Sequence, residues 1–137
     1  MIFEPIATVR SWSVYAPFFS EYEFSCKHCG KCLMLPRFMD RLYRLRQKWN
    51  KPMLFSSGYR CADHPVEAGK SNGPGVHTMG CAADVLVSGK DAFELLRLAM
   101  TEGFTGAGIQ QKGASRYLHL DDAEDGLRFV RPMIWSY

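Results

Sequence analysis

Apolar residues recur in "PRFMDRLYRLRQKW", residues 36–49, at Phe38, Met39, Leu42, Leu45 and Trp49, the three-and-four spacing that gathers side chains on one stripe of a helix. Pro36 suits the first turn of that helix, where its missing N–H is not needed, and Asn50-Lys51-Pro52 ends the run. The opposite face carries Arg37, Arg41, Arg44 and Lys48 and reads as a solvated surface. A second helix is predicted over "DAFELLRLAMTEG", residues 91–103, with Ala92, Leu95, Leu96 and Ala99 turned inward. Ser88 and Asp91 resemble a cap at its start, and Gly103 is a left-handed stop. Shorter runs of a different rhythm predict strands: "MLFSSGYR" (53–60) running into a Ser/Gly turn, "AADVLVS" (82–88), "GAGIQQ" (106–111) and "RYLHLDD" (116–122), the last two joined by a short link containing Gly113. The pattern predicts one compact α+β domain over residues 1–137, with a small, mainly antiparallel sheet and two or three helices. An N-terminal arm of about residues 1–25 brings Phe18, Phe19, Tyr22 and Phe24, which are expected to pack it over the core rather than to stack sugars.

Composition agrees with one core and narrows the setting. The chain has 137 residues, 47% of them hydrophobic and 23% charged, enough apolar material for a single globular unit. Its opening lacks a basic start followed by an unbroken apolar run, so neither a signal peptide nor a membrane insertion is expected, and folding in a cytoplasm is. Five cysteines, an odd number without an export signal, argue for thiols or a metal site over a disulfide framework. The net charge of +3 suits an anionic partner such as a cell-wall polymer and is too small to imply nucleic acid.

Chemistry concentrates in "GVHTMGCAADVLV", residues 75–87, where His77 and Asp84 stand among small and apolar residues. Burying either unpaired costs several kcal/mol, so something must satisfy them: a local hydrogen-bonded pair, a catalytic pair or a metal ion. In "RYLHLDD" strand alternation puts Tyr117, His119 and Asp121 on one face and Leu118 and Leu120 on the other. His77, Asp84 and His119 together make a three-ligand set of the kind catalytic zinc uses, with Gly75 and Gly80 letting the backbone pass close by. "CKHCGKC" offers Cys26, Cys29 and Cys32, and with Cys61 these could hold a second, structural zinc, although the second knuckle of such sites is absent and plain reduced thiols remain the alternative. Cys81 reads as a core-filling group and His64 as a surface loop residue.

In order, "SSGYR" (56–60), "HTMGCAAD" (77–84) and "YLHLD" (117–121) resemble the zinc-dependent M15 peptidases, the family of D-Ala-D-Ala carboxypeptidases and phage endolysins. The likeness runs over roughly residues 20–135 and is closest to the small phage and bacterial branch, in which "EFSCKHCG", "GFTGAGI" and a closing arginine and tryptophan, here Arg131 and Trp135, also recur. The resemblance implies zinc as cofactor, held by His77, Asp84 and His119, and Arg60 as the arginine that binds substrate and steadies the transition state. It implies a monomeric peptidase acting on peptidoglycan stem peptides, either trimming a terminal D-alanine or cutting within the stem. Without an export signal, such an enzyme reaches the wall through lysis or as a virion component, which points to a phage. Two positions depart from the family's pattern. Arg116 stands where many relatives carry the general base three residues before the last zinc histidine, and Gly75 stands where they carry a serine. Asp121, on the ligand face, is the nearest replacement as base or as a residue orienting His119. The missing base also leaves open a zinc-stabilised wall-binding or virion structural module without catalysis. A nucleic-acid-binding knuckle is the weakest reading, for want of a basic and aromatic groove.

Overall fold

A computed structural model describes residues 7–137, so the first six residues of the N-terminal arm lie outside the described residues. Four α-helical segments, α1 (Glu21–Phe24), α2 (Pro36–Trp49), α3 (Pro65–Ala68) and α4 (Gly89–Thr101), accompany five strands. These are β1 (Phe55–Ser57), β2 (Ala82–Leu86), β3 (Gly106–Gln110), β4 (Tyr117–Asp121) and β5 (Met133–Ser136). The strands form one sheet in the order β1-β2-β4-β3-β5, antiparallel except for the parallel pair β3–β5. The fold is therefore α+β, with α1 and α3 too short, at one turn each, for a periodic pattern to announce them.

The apolar stripe of α2 is buried at all five predicted positions, and the helix stops at Asn50 in the left-handed conformation. Its basic face is less solvated than expected. Arg37 and Arg41 both reach Asp122, at 3.2 and 3.3 Å, and Arg41 also donates to the Glu102 carbonyl. Arg44 and Lys48 pair with the Glu102 carboxylate. This face ties α2 to the end of α4 and to the residue following β4. On α4, Ala92, Leu95 and Ala99 are buried, Leu96 is half-buried against the core, and Gly103 takes a φ of 88°. The cap expected of Ser88 and Asp91 does not form: Ser88 occupies the N-cap position without a side-chain bond, and Asp91 is drawn instead to Lys51 at 2.9 Å.

Strand register gives the sheet two chemically different faces. Ala83 pairs with Leu120 and Val85 with Leu118, and across β4 these leucines face Ala107 and Ile109, so the apolar positions share one side. That side joins Leu42, Leu45 and Leu95 in the core, where each fully buried leucine contributes about 1.5–3 kcal/mol. The other side carries Asp84 opposite His119, Ala82 opposite Asp121, and Trp135 of β5 beside Gly108. Phe19 and Phe24 pack the arm onto Phe55, with ring centroids at 5.5 and 4.6 Å, whereas Tyr22 is 85% exposed. Among the described residues no helix is long and apolar enough to cross a membrane.

Candidate metal centre

His77 reaches the site from a single 3-10 turn, Val76–Met79, placed between a half-buried Gly75 and Gly80. Gly80 has a φ of 71°, and a side chain there would run into the Leu33 backbone, so only glycine closes this turn. Asp84 and His119 come from neighbouring strands as a direct cross-strand pair. The donor atoms of the three residues lie within 4.8 Å of one another, and all three residues are buried.

Hydrogen bonds around the rings decide what faces the centre. The Gly58 carbonyl can only accept, so His77 Nδ1–H donates to it at 2.7 Å and the ring turns Nε2 toward Asp84 Oδ1, 3.3 Å away. His119 Nε2 meets Asp121 Oδ2 at 2.7 Å, which leaves Nδ1 toward the same Asp84 oxygen at 3.1 Å. When each ring is neutral with its proton outward, two nitrogen lone pairs and a carboxylate oxygen converge, an arrangement that calls for a cation: a metal ion, or without one the inward protons that His119 and His77 then donate to Asp84. Ligands bound at about 2.0–2.2 Å to a tetrahedral zinc sit about 3.3–3.5 Å apart, close to the spacings found here. The residues therefore fit the ion.

Burial pushes the Asp84 carboxyl up, but the bonds from His119 and His77 outweigh it and hold it well below the usual carboxylate range. Burial likewise pushes His77 down and keeps it neutral, the form that ligates a metal. His119 is pulled down by burial and up by Asp121 and Asp84, and the two carboxylates prevail.

Around the centre is a cleft of about 360 Å³, lined by Arg60, Lys70, Tyr117, Arg131, Trp135 and Tyr137 together with the three converging residues. Arg60 donates to Asp84 Oδ2 at 3.4 Å and to Glu67 Oε2 at 3.0 Å, so one guanidinium steadies the outer oxygen of Asp84. Glu67, 1% exposed, also accepts from Lys70 and from the Gly75 N–H at 2.8 Å. Burial raises its carboxyl, yet these donors bring it down from 4.5 to about 2.

Asp121 is 0% exposed and does not line the cleft. Besides His119, its oxygens accept from Arg131 Nε and an Arg131 terminal nitrogen at 2.9 and 2.8 Å and from the Ala123 N–H at 3.2 Å. Arg116, which the resemblance puts at the usual position of the base, is exposed and donates to the Gly113 carbonyl at 3.0 Å. Among the described residues, Asp84 is the only carboxylate that lines the cleft.

Sequence reasoning named Arg60, His77, Asp84, His119 and Asp121, and the fold brings all five into one connected network. It missed Glu67 and Lys70, whose only signal was a Glu and a Lys three apart, and it gave Arg131 and Trp135 no task. Trp135 stands 5.1 Å from the His119 ring, centroid to centroid. Gly106 and Gly108 make room for this layer: a side chain on Gly106 would strike the Asp121 carboxylate, and one on Gly108 would come within 2.7 Å of Trp135. His64 is half-buried and caps α3, accepting from the Val66 N–H at 3.1 Å.

Of the four cysteines proposed for a second zinc, Cys26, Cys29 and Cys61 cluster within 4.8 Å, and Cys32 is not part of the group. The reason lies in the backbone: Gly30 N–H bonds back to the Cys26 carbonyl and Cys26 N–H to Lys31, which folds Cys29 toward Cys26 and sends Cys32 onward to pack against the core. Cys81 is a core group as expected, 1% exposed, with burial pushing its thiol up to about 12.

No curated protein matches the chain. The family model described as Peptidase M15, however, matches residues 18–121, from the arm that packs on β1 through both histidines to Asp121 at the end of β4, and with so much of the chain covered this protein belongs to the M15 peptidase family.

Proposed function

We infer that the protein is a zinc-dependent peptidase of peptidoglycan, hydrolysing an amide bond of the stem peptide either at a terminal D-alanine or within the stem. The observation that carries this reading is the convergence of His77 Nε2, His119 Nδ1 and Asp84 Oδ1 in a cleft whose other charged lining residues, Arg60, Lys70 and Arg131, are all cationic. His77, Asp84 and His119 would hold the zinc, which when bound supplies Lewis acidity toward a scissile carbonyl and lowers the pKa of water. The cations give the cleft its preference for an anionic peptide, and Arg60, permanently charged, can meet a terminal carboxylate or an oxyanion developing at the carbonyl. Trp135 and Tyr137 wall the cleft with aromatic surface and limit water. Asp121 acts through His119: bound by Arg131, it keeps the imidazole proton on Nε2 and the ligating lone pair on Nδ1.

One observation favours a second reading. Among the described residues no carboxylate other than Asp84 lines the cleft, so a wall-binding or virion module that keeps the site but does not turn over is a competing function. The deciding experiment incubates purified peptidoglycan with the protein, with and without a chelator, and follows newly released amine and free alanine. Chelator-sensitive release supports the peptidase. Binding to the wall without release would establish the module.

A further inference from the structure

We propose that Cys26, Cys29 and Cys61 form a second metal site, a three-thiolate zinc centre that is structural and holds the turn carrying Arg60. The sulfurs of Cys26 and Cys61 stand 3.8 Å apart, and the Cys29 sulfur lies within 4.8 Å of both. Two thiolates bound at about 2.3 Å to one tetrahedral zinc are separated by about 3.8 Å.

The backbone around Cys26 is shaped for a thiolate. Gly30, at a φ of 80°, closes the loop by donating to the Cys26 carbonyl at 2.8 Å, and Cys26 N–H donates to the Lys31 carbonyl at 2.7 Å. This turn brings Cys29 back over Cys26. Cys61 N–H donates to the Cys26 sulfur at 3.3 Å. N–H groups of Cys61, Cys29 and His28 are directed at the Cys26 sulfur. Three sulfurs so close, one of them held by several N–H donors, are a soft anionic donor set, which selects a thiophilic cation such as zinc over magnesium or calcium. Cys29 is exposed, so solvent has access to a fourth coordination position.

The position of the cluster gives it a task distinct from the catalytic centre. Cys61 directly follows Arg60, whose N–H donates to the His77 carbonyl at 3.2 Å, while Tyr59 N–H donates to the Phe24 carbonyl at 2.9 Å. A metal linking Cys61 to the 26–29 loop fastens the Arg60 turn to the N-terminal segment. It would supply order that a single turn of helix at α1 and a three-residue strand at β1 supply weakly.

The test uses the full chain, purified under reducing conditions with zinc and freed of loose metal. Elemental analysis is expected to find two zinc ions per chain in the unmodified protein, one in Cys29→Ser and one in His77→Ala, with Cys32→Ser retaining both. Cobalt replacing the zinc is expected to show a sulfur-to-metal charge-transfer band that persists in His77→Ala and disappears in Cys29→Ser. Cys29→Ser is also expected to melt at a lower temperature, with Arg60-dependent turnover reduced and its zinc at His77 intact. The proposal is overturned if Cys29→Ser leaves the metal count unchanged, if the thiolate band is absent from the unmodified protein, or if Cys26 and Cys61 are found joined as a disulfide in the reduced preparation. A single zinc lost with Cys29→Ser but not with His77→Ala would uphold this site while removing the catalytic one, so the two readings fail separately.

Discussion

Replacing Asp121 by Asn removes one negative charge from a fully buried position while keeping the shape of the side chain. The carboxylate now serves His119 at 2.7 Å, both Arg131 nitrogens at 2.8 and 2.9 Å, and the Ala123 N–H at 3.2 Å. An amide has one acceptor oxygen in place of two, so in either orientation its NH2 group faces an Arg131 nitrogen together with either the His119 N–H or the Ala123 N–H, donor against donor. Arg131, whose side chain is 7% exposed, loses its anionic partner. Breaking a buried pair from one side costs about 3–5 kcal/mol, and the retained oxygen places this case at the lower end. Loss of the carboxylate behind a ligating histidine lowers metal affinity by about 10–100-fold. Chelator competition measures the affinity, urea unfolding the stability, and peptide release at saturating zinc the activity. The orienting role predicts weaker zinc, lower stability and activity largely restored by added metal. Zinc affinity within about threefold of the unmodified protein would refute it, since a 10–100-fold loss is the expected range. Activity that stays lost at full zinc occupancy would instead make Asp121 the proton acceptor.

Arg60→Ala is expected to lower turnover by about 10²-fold or more while zinc at His77 remains, as for loss of a charge-stabilising donor; near-normal hydrolysis by the folded, zinc-loaded variant would remove Arg60 from the chemistry. Glu67, depressed from 4.5 to about 2, contributes stability above about pH 4.5 that is lost as the pH falls toward 2, an amount of about 3 kcal/mol. Urea unfolding of Glu67→Gln across that range should therefore show its deficit against the unmodified protein shrinking with acid, and a deficit independent of pH would contradict the assignment. Gly106→Ala forces a methyl group against the Asp121 carboxylate and is expected to cost about 1–3 kcal/mol and to weaken zinc binding, whereas Gly113→Ala, with open space around it, should leave zinc affinity untouched.

Elements whose own residues repeat were legible. The stripe of α2 needed no partner to be seen, and the alternation in "YLHLD" placed His119 and Asp121 on the face opposite Leu118 and Leu120, where the register puts them. The single turns α1 and α3 and the strand β5 were not legible. A four-residue helix shows too little of its period, and β5 carries "MIWS" at the sheet edge, with Met133 and Ile134 both exposed, so no alternation marks it. The basic face of α2 was misread for a related reason: its partners Asp122 and Glu102 are distant in sequence, and nothing local distinguishes a solvated arginine from one that pins two elements together.

The candidate site divides along the same line. Its three converging residues could be named in advance from the ordered motifs that resemble the M15 peptidases, whereas their supports depend on where the chain returns. Glu67 lies in a stretch that reads as a surface loop, yet it is buried because Arg60, Lys70 and the Gly75 N–H all converge on it. The phrase "GFTGAGI" could be noted as part of the resemblance, but its purpose appears only with the register: Gly106 faces Asp121 and Gly108 faces His119, and bulk at either place would displace the carboxylate or the tryptophan that hold the imidazole. Two missing side chains on β3 thus leave the space in which the groups around His119 sit. The consequence for an arginine in the usual place of the base is specific. The network around His119 is complete without position 116, so Arg116 leaves the converging residues undisturbed, and under the proposed peptidase reading any effect of an arginine there would fall on proton transfer.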